Sequence, residues 1–301
     1  MSTGARTQAT IGLGYGLAAY LTWGVLPLYF AQLRQVPALQ TLAHRVIWAT
    51  VLLALFVTVR GQWRAAIAQL CAARLRWFLL TTLLLSTNWL VYIGAVNTGR
   101  VLEASLGYFV TPLVNVLLGV WLLRERLGGA QRFAVGLAAL SVAVLVIGTG
   151  VWPTIPLLLA GSFGTYGLVR KRLAIAPMTA LLVETALMVP PAAVFLGLSM
   201  AGVIEPPSVF GQSLRLDLLL LASGAVTALP LVWFGHAAQR LQLSTLGTLQ
   251  YLSPSCSFIL AITVLGEPLS RWHVVAFAGI WIALGVYATA AARQQRRAGA
   301  Q

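Results

Sequence analysis

Apolar residues fill this chain in long runs, and charge is confined largely to the gaps between them. A helix needs roughly 20 apolar residues to cross a bilayer. Ten runs approach or reach that length, at about 11–31, 38–59, 77–97, 102–122, 131–149, 153–169, 178–199, 217–237, 243–265 and 273–292. The pattern predicts an all-α polytopic membrane protein of ten transmembrane helices. Most gaps are short, so neighbouring spans should run antiparallel. Residues 200–216 form the one long connection and are expected to be irregular. The first run, Thr7 to Leu33, is uncharged and lacks a convincing small-residue cleavage site, which marks a retained span rather than a signal peptide.

One run occurs twice. Leu102 to Leu127, LEASLGYFVTPLVNVLLGVWLLRERL, returns as Leu243 to Leu269, LSTLGTLQYLSPSCSFILAITVLGEPL. Setting Pro112 on Pro254 also pairs Phe109 with Tyr251, Thr111 with Ser253 and Glu125 with Glu267. A second match sets Tyr20-x-Thr22-Trp23-Gly24 on Phe163-x-Thr165-Tyr166-Gly167, and a third sets NWLVYIGAVNTG opposite PLVWFGHAAQRL. Two halves follow, residues 1–149 and 153–292, with five spans each and a basic tail at 293–301. Five is odd, so the second half must enter the membrane the other way up. That is an inverted-topology repeat, and it places a site near the midplane where the halves meet.

Composition agrees with a lipid environment: 59% of residues are hydrophobic, 9% are charged, and mean hydropathy is +0.87. The net charge of +14 would suit nucleic acid. However, the basic residues sit in short loops rather than in a stripe, which excludes that partner. With the N-terminus in the cytoplasm, fifteen cations gather on that side: Arg6, Arg60, Arg64, Arg74, Arg76, Arg124, Arg126, Arg132, Arg170, Lys171, Arg172, Arg240, Arg293, Arg296 and Arg297. Only Arg34, Arg100, Arg215 and Arg271 fall opposite. Both termini are therefore expected in the cytoplasm of a cell whose inner membrane the chain spans. Cys71 lies in a basic loop and Cys256 inside a span, a placement that suggests neither a disulfide nor a metal site, and nothing calls for a cofactor.

The blocks YLTWGVLPLYF (20–30), HRVIW (44–48), NWLVYIGAVN (88–97), EASLGYFVTPLVNVLLG (103–119), YGLVRKRLA (166–174) and LQYLSPSCSFILA (249–261) resemble the drug/metabolite transporter superfamily, in its EamA-type, RarD-like branch. The resemblance covers nearly the whole chain. It implies ten helices, inverted five-helix repeats and transport of small solutes.

Charge inside a span costs several kcal/mol unless paired or hydrated. Span two carries His44 and Arg45, and span seven carries Glu184 at the related position. Each lies roughly 10 Å deep at 1.5 Å per residue. The spans enter from opposite sides, which argues against an Arg45–Glu184 pair. Partners at equal depth would be Glu103 for Arg45 and Arg240 for Glu184, forming two clamps that break alternately. The competing reading has Arg45 and Glu184 snorkel to the headgroups as anchors. His44 or Glu184 could carry a coupling proton; His236, near the end of span eight, is a weaker candidate.

The deeper polar and aromatic residues form the expected substrate surface: Trp23, Asn88, Trp89, Tyr92, Tyr108, Asn115, Tyr166, Trp233, Gln250 and Tyr251. Pro112 and Pro254 would bend the duplicated helices as hinges, about a third to halfway along. Glu125 and Glu267, at helix C-termini where the dipole disfavours a carboxylate, are expected to latch onto basic partners.

These features point to a secondary carrier for a small neutral or zwitterionic organic solute such as an amino acid, working by alternating access as a monomer or homodimer. A flippase for a lipid-linked carrier is the alternative. A membrane-embedded enzyme fails on inventory, since no aspartate lies within a span (Asp217 is at an edge) and no H-E-x-x-H or G-x-S-x-G occurs.

Overall fold

Chain segments rich in leucine, alanine and valine, without internal capping residues, have one way to satisfy their backbone in lipid, and they take it. The computed structural model describes residues 3–68, 72–123, 128–173, 175–241 and 249–298. These form α1 (Thr3–Ala31), α2 (Ala38–Val59), the short α3 (Trp63–Ala68), α4 (Ala72–Asn97), α5 (Val101–Leu123) and α6 (Gly129–Thr149). There follow α7 (Thr154–Leu173), α8 (Pro177–Met200), α9 (Leu214–Ala238), α10 (Leu252–Thr263) and α11 (Arg271–Ala298). Among the described residues there is no strand. Seven helices among the described residues are long and apolar enough to cross a membrane: α1, α2, α4, α6, α8, α9 and α11. The second span matches its expected bounds to the residue. The connection between α8 and α9 is irregular, as its sequence suggests.

Helix ends follow local chemistry. Pro37 precedes α2 in an extended conformation, and Pro177 opens α8, where its missing N–H is no loss. Gly150 ends α6 with φ +67°, a left-handed turn that lets its N–H return to the Val146 carbonyl.

Packing is inside-out relative to a water-soluble protein. In α2 the polar Gln40, Thr41, His44 and Arg45 are buried, while Val51, Leu55 and Val59 face outward. Ile147 is 82% exposed and Trp121 78%, an arrangement suited to hydrocarbon and costly in water. The principal contacts between the two halves come in matched sets. Helix α1 packs on α9 and α10, as α7 packs on α4 and α5; α2 meets α9 as α8 meets α4. The pairs α2–α8, α5–α10 and α6–α11 match themselves. Small residues permit these crossings: a Cβ at Gly24 of α1 would come within 2.6 Å of the Cys256 Cβ in α10, and Gly224 of α9 lies against the Trp48 backbone of α2. One large apolar cluster joins α1, α2, α4, α5, α7, α8, α9 and α10. A second gathers α5, α6 and α11 around Phe109, Phe277 and Leu284, so the α6–α11 pair stands to the side of the main bundle.

The duplicated helices differ in the fold. Helix α5 continues through Pro112, whose ring removes the N–H that would otherwise reach the Tyr108 carbonyl. In the second copy a turn at Gln250 and Tyr251 interrupts the run, and α10 starts only at Leu252. Pro254 is therefore the third residue of a helix, where the missing N–H is one of the unpaired groups in any case. The break at Gln250 and Tyr251 lies in the turn preceding Pro254, the residue expected as a hinge. Cys71, Glu125 and residues 242–248 lie outside the described residues.

Glu267 is a latch, but not onto a basic residue. Its Oε1 accepts from the Val101 N–H at 2.6 Å and its Oε2 from the Leu102 N–H at 2.8 Å, capping α5 from the loop before α11. A carboxylate suits a helix N-terminus, where free amides and the dipole both favour negative charge. Burial pushes its carboxyl pKa up, and the two amides work against that rise.

Candidate functional site

Two ionic side chains are buried in the bundle, one in α2 and one in α8. Arg45 is the eighth residue of α2 and Glu184 the eighth of α8. Arg45 is 5% exposed and Glu184 is fully buried, so neither snorkels to a surface.

At the first centre, Arg45 Nε donates to Thr227 Oγ1 of α9 at 2.8 Å. That hydroxyl spends its own proton on the Ser223 carbonyl, also at 2.8 Å, which fixes its lone pairs toward the arginine. The guanidinium carbon stands 4.1 Å from the centre of the Trp89 ring and 5.4 Å from that of Phe30. The ring quadrupoles offset part of the cost of a cation out of water. Nη1 is buried and has no hydrogen-bond partner, and among the described residues no carboxylate pairs with Arg45.

At the second centre, Tyr166 of α7 donates its hydroxyl to Glu184 Oε2 at 3.0 Å. Arg170 Nε of the same helix lies 3.9 Å from Oε1, an ion pair without a hydrogen bond. Thr82 of α4 donates to the Glu184 carbonyl at 3.5 Å.

An aromatic ladder joins the two. Phe30 meets Tyr92 at 6.0 Å between centroids, Tyr92 meets Tyr108 at 5.9 Å, Tyr108 meets Phe163 at 6.2 Å, and Phe163 stacks on Tyr166 at 5.9 Å. Asn88 holds its middle rung. It accepts from the Tyr108 hydroxyl at 3.0 Å and donates to the Leu159 carbonyl and to Ser162 Oγ, both at 3.1 Å. All three polar contacts cross between helices, which is how an amide is stabilised inside a bundle.

The structure thus brings together Arg45, Glu184, Asn88, Trp89, Tyr92, Tyr108 and Tyr166. It separates others. Glu103 pairs with its neighbour Arg100, Nε to Oε1 at 2.6 Å and Nη2 to Oε2 at 2.8 Å, so the expected Arg45–Glu103 clamp is not formed. Nor does Arg240 meet Glu184: it donates to Gln8 Oε1 at 3.2 Å and to the His236 carbonyl at 2.9 Å. His236 stacks on Tyr15 at 5.0 Å, near the end of α9. Trp23 belongs to a separate cluster with Tyr20 and Phe234. Trp233 is half-buried, and its neighbour Phe234 packs its ring against Tyr20 and Trp23 of α1. Asn115 is exposed, its Oδ1 close to Gly164 of α7. Gln250 and Tyr251 form the turn before α10. His44 stacks on Phe210 of the α8–α9 connection at 4.8 Å, while Gln40 one turn earlier donates to the Pro206 and Pro207 carbonyls of the same segment. An open surface depression of about 600 Å³, lined by Gln32, Leu214, Arg215, Leu218 and Leu219, lies apart from the ladder.

Sequence reasoning missed Thr227, Phe30, Phe163 and Arg170. Arg170 was counted as a loop charge, yet α7 runs on to Leu173 and carries it inside. Phe163 had a usable signal, since it stands on Tyr20 in the repeat.

The pattern of the EamA-like transporter family matches residues 10–147. Over 294 residues, 96% of this chain and 98% of the other, the sequence is 44% identical to protein RarD of Salmonella typhimurium. It is 42% identical to protein RarD of Escherichia coli over 96% of this chain and 98% of that one. A Vibrio cholerae transporter is 42% identical over 94% and 93%. A crystal structure sharing 18% identity superposes with a TM-score of 0.61 over 92% of this chain and 96% of that one, a likeness of fold alone.

Proposed function

This chain belongs to the EamA-like transporter family, in the RarD-like branch of the drug/metabolite transporter superfamily, and from that premise we propose that it carries a small neutral or zwitterionic organic solute by alternating access. It is a multi-pass membrane transporter. The finer reading is ten spans in two inverted halves, with both termini in the cytoplasm and Glu184 as the residue that carries a coupling proton.

The observation that carries this reading is the pair of buried ionic centres at corresponding positions of α2 and α8, joined by aromatic rings contributed by both halves. Buried charge in a membrane protein marks a pathway. The matched packing of α1 with α9 and α7 with α4 supports the inverted repeat, as does the distribution of Lys and Arg. A carrier must trade one set of contacts for another as access changes sides. The ion pair at 3.9 Å, without a hydrogen bond, is suited to opening.

The test is solute counterflow into proteoliposomes made with the purified full chain, using a panel of radiolabelled amino acids, nucleosides and sugars at pH 5.5 and 7.5. The expected result is saturable exchange of one solute class, with a pH dependence that Glu184→Gln removes. Exchange that is unsaturable, or uptake of none of the panel alongside translocation of lipid-linked phosphates, overturns the carrier in favour of a flippase.

A further inference from the structure

Arg45 presents a problem that its surroundings do not solve. The charge is 5% exposed, and its Nη1 has no acceptor. The acidic residue nearest in expectation, Glu103, is held on both oxygens by Arg100. Thr227 accepts from Nε and is itself committed to Ser223. Trp89 covers one face of the guanidinium at 4.1 Å. Nε is fixed, a face is covered, and of the two terminal nitrogens Nη1 is buried without an acceptor. A planar, five-donor cation held in this way is preorganised for a carboxylate, which meets guanidinium edge-on with parallel hydrogen bonds.

Resting on the carrier reading, we infer that Arg45 is the anchor for a carboxylate group of the transported solute. Thr227 and Trp89 are the residues that orient it. The rings of Phe30, Trp89, Tyr92 and Tyr108 then surround the body of the solute, which favours a planar or apolar substituent beside the carboxylate. In the present conformation Nη1 is closed off from solvent, so the carboxylate enters when the halves part. The solute class narrows from neutral or zwitterionic compounds in general to those with a free carboxylate, amino acids included.

The experiment compares acids with their matched amides: benzoate with benzamide, and L-phenylalanine with L-phenylalaninamide. Binding to the purified full chain is measured at pH 7.5 by thermal shift and by quenching of tryptophan fluorescence. At least one acid is expected to bind wild type about tenfold or more tightly than its amide. Arg45→Gln should erase that preference, and Arg45→Lys should keep part of it because the charge remains but the fork does not. Equal binding of every acid and its amide to wild type, no binding of either acid, or an undiminished acid preference in Arg45→Gln, overturns the inference. The wild-type comparison stands even if a variant fails to fold. Counterflow separates the two readings: exchange without acid preference removes the carboxylate anchor and leaves the carrier, while acid preference without any exchange removes the carrier and leaves the anion site.

Discussion

The Arg45 and Glu184 centres occupy corresponding places in two related helices, yet they treat charge in opposite ways. Glu184 is surrounded by answers: a tyrosine hydroxyl, a guanidinium from the same neighbouring helix, and a backbone contact from α4. Arg45 has one hydroxyl and two rings, and among the described residues no carboxylate. The Glu184 centre is closed in the sense that its counter-ion lies beside it, although Oε1 has no hydrogen-bond partner; the Arg45 centre is open, with no counter-ion among the described residues. The eighth residue of α2 and the eighth of α8 are both buried ions, but the side chains around them differ, so that one has an internal ion pair and the other is suited to a ligand.

The comparison can be broken by stability measurements in detergent. Removing the carboxylate from the closed centre should cost most. Glu184→Leu leaves Arg170 facing the interior without its partner, and the expected loss is about 3 kcal/mol, read by denaturant unfolding. Arg170 keeps slight access to solvent, which holds the loss toward the lower end of the range for a broken buried pair. Tyr166→Phe should cost about 1 kcal/mol by the same measurement, the value of one hydrogen bond to a charged acceptor in part replaced by Arg170. Arg45→Met should cost least, within about 1 kcal/mol of wild type, because it removes a buried charge that has no counter-ion to strand. If Arg45→Met proves as damaging as Glu184→Leu, the open centre has an acceptor after all and the contrast between the two fails.

Much of this arrangement was legible in the sequence, for reasons that individual residues make plain. Span two could be placed to the residue because Pro37 and Arg60 bracket a run in which Arg45 is the one residue of Asp, Glu, Lys or Arg type. Hydropathy alone could not see the turn at Gln250 and Tyr251, because an apolar run remains apolar when the backbone bends. The partner of Arg45 escaped because depth arguments look for opposite charge, and the acceptor is the neutral Thr227, 182 residues away. Trp233 and Phe234 are adjacent aromatics that composition cannot rank. A helix turns about 100° per residue, and that single step gives the two rings different directions, with Phe234 set against Tyr20 and Trp23 of α1. Glu267 was recognised as a latch but assigned the wrong partner, since a carboxylate after one helix can serve the beginning of another.

That carboxylate also sets an order of events during synthesis. The amides of Val101 and Leu102 emerge from the ribosome 166 and 165 residues before the glutamate that will accept them. At ordinary translation speeds the wait is on the order of ten seconds. Throughout that time α5 stands with its leading end uncapped, and the cap forms only when the loop before α11 arrives. A chain that stops short of Glu267 keeps every residue of α5 and still lacks its cap, so a nascent fragment ending there offers quality-control proteases an unfinished edge.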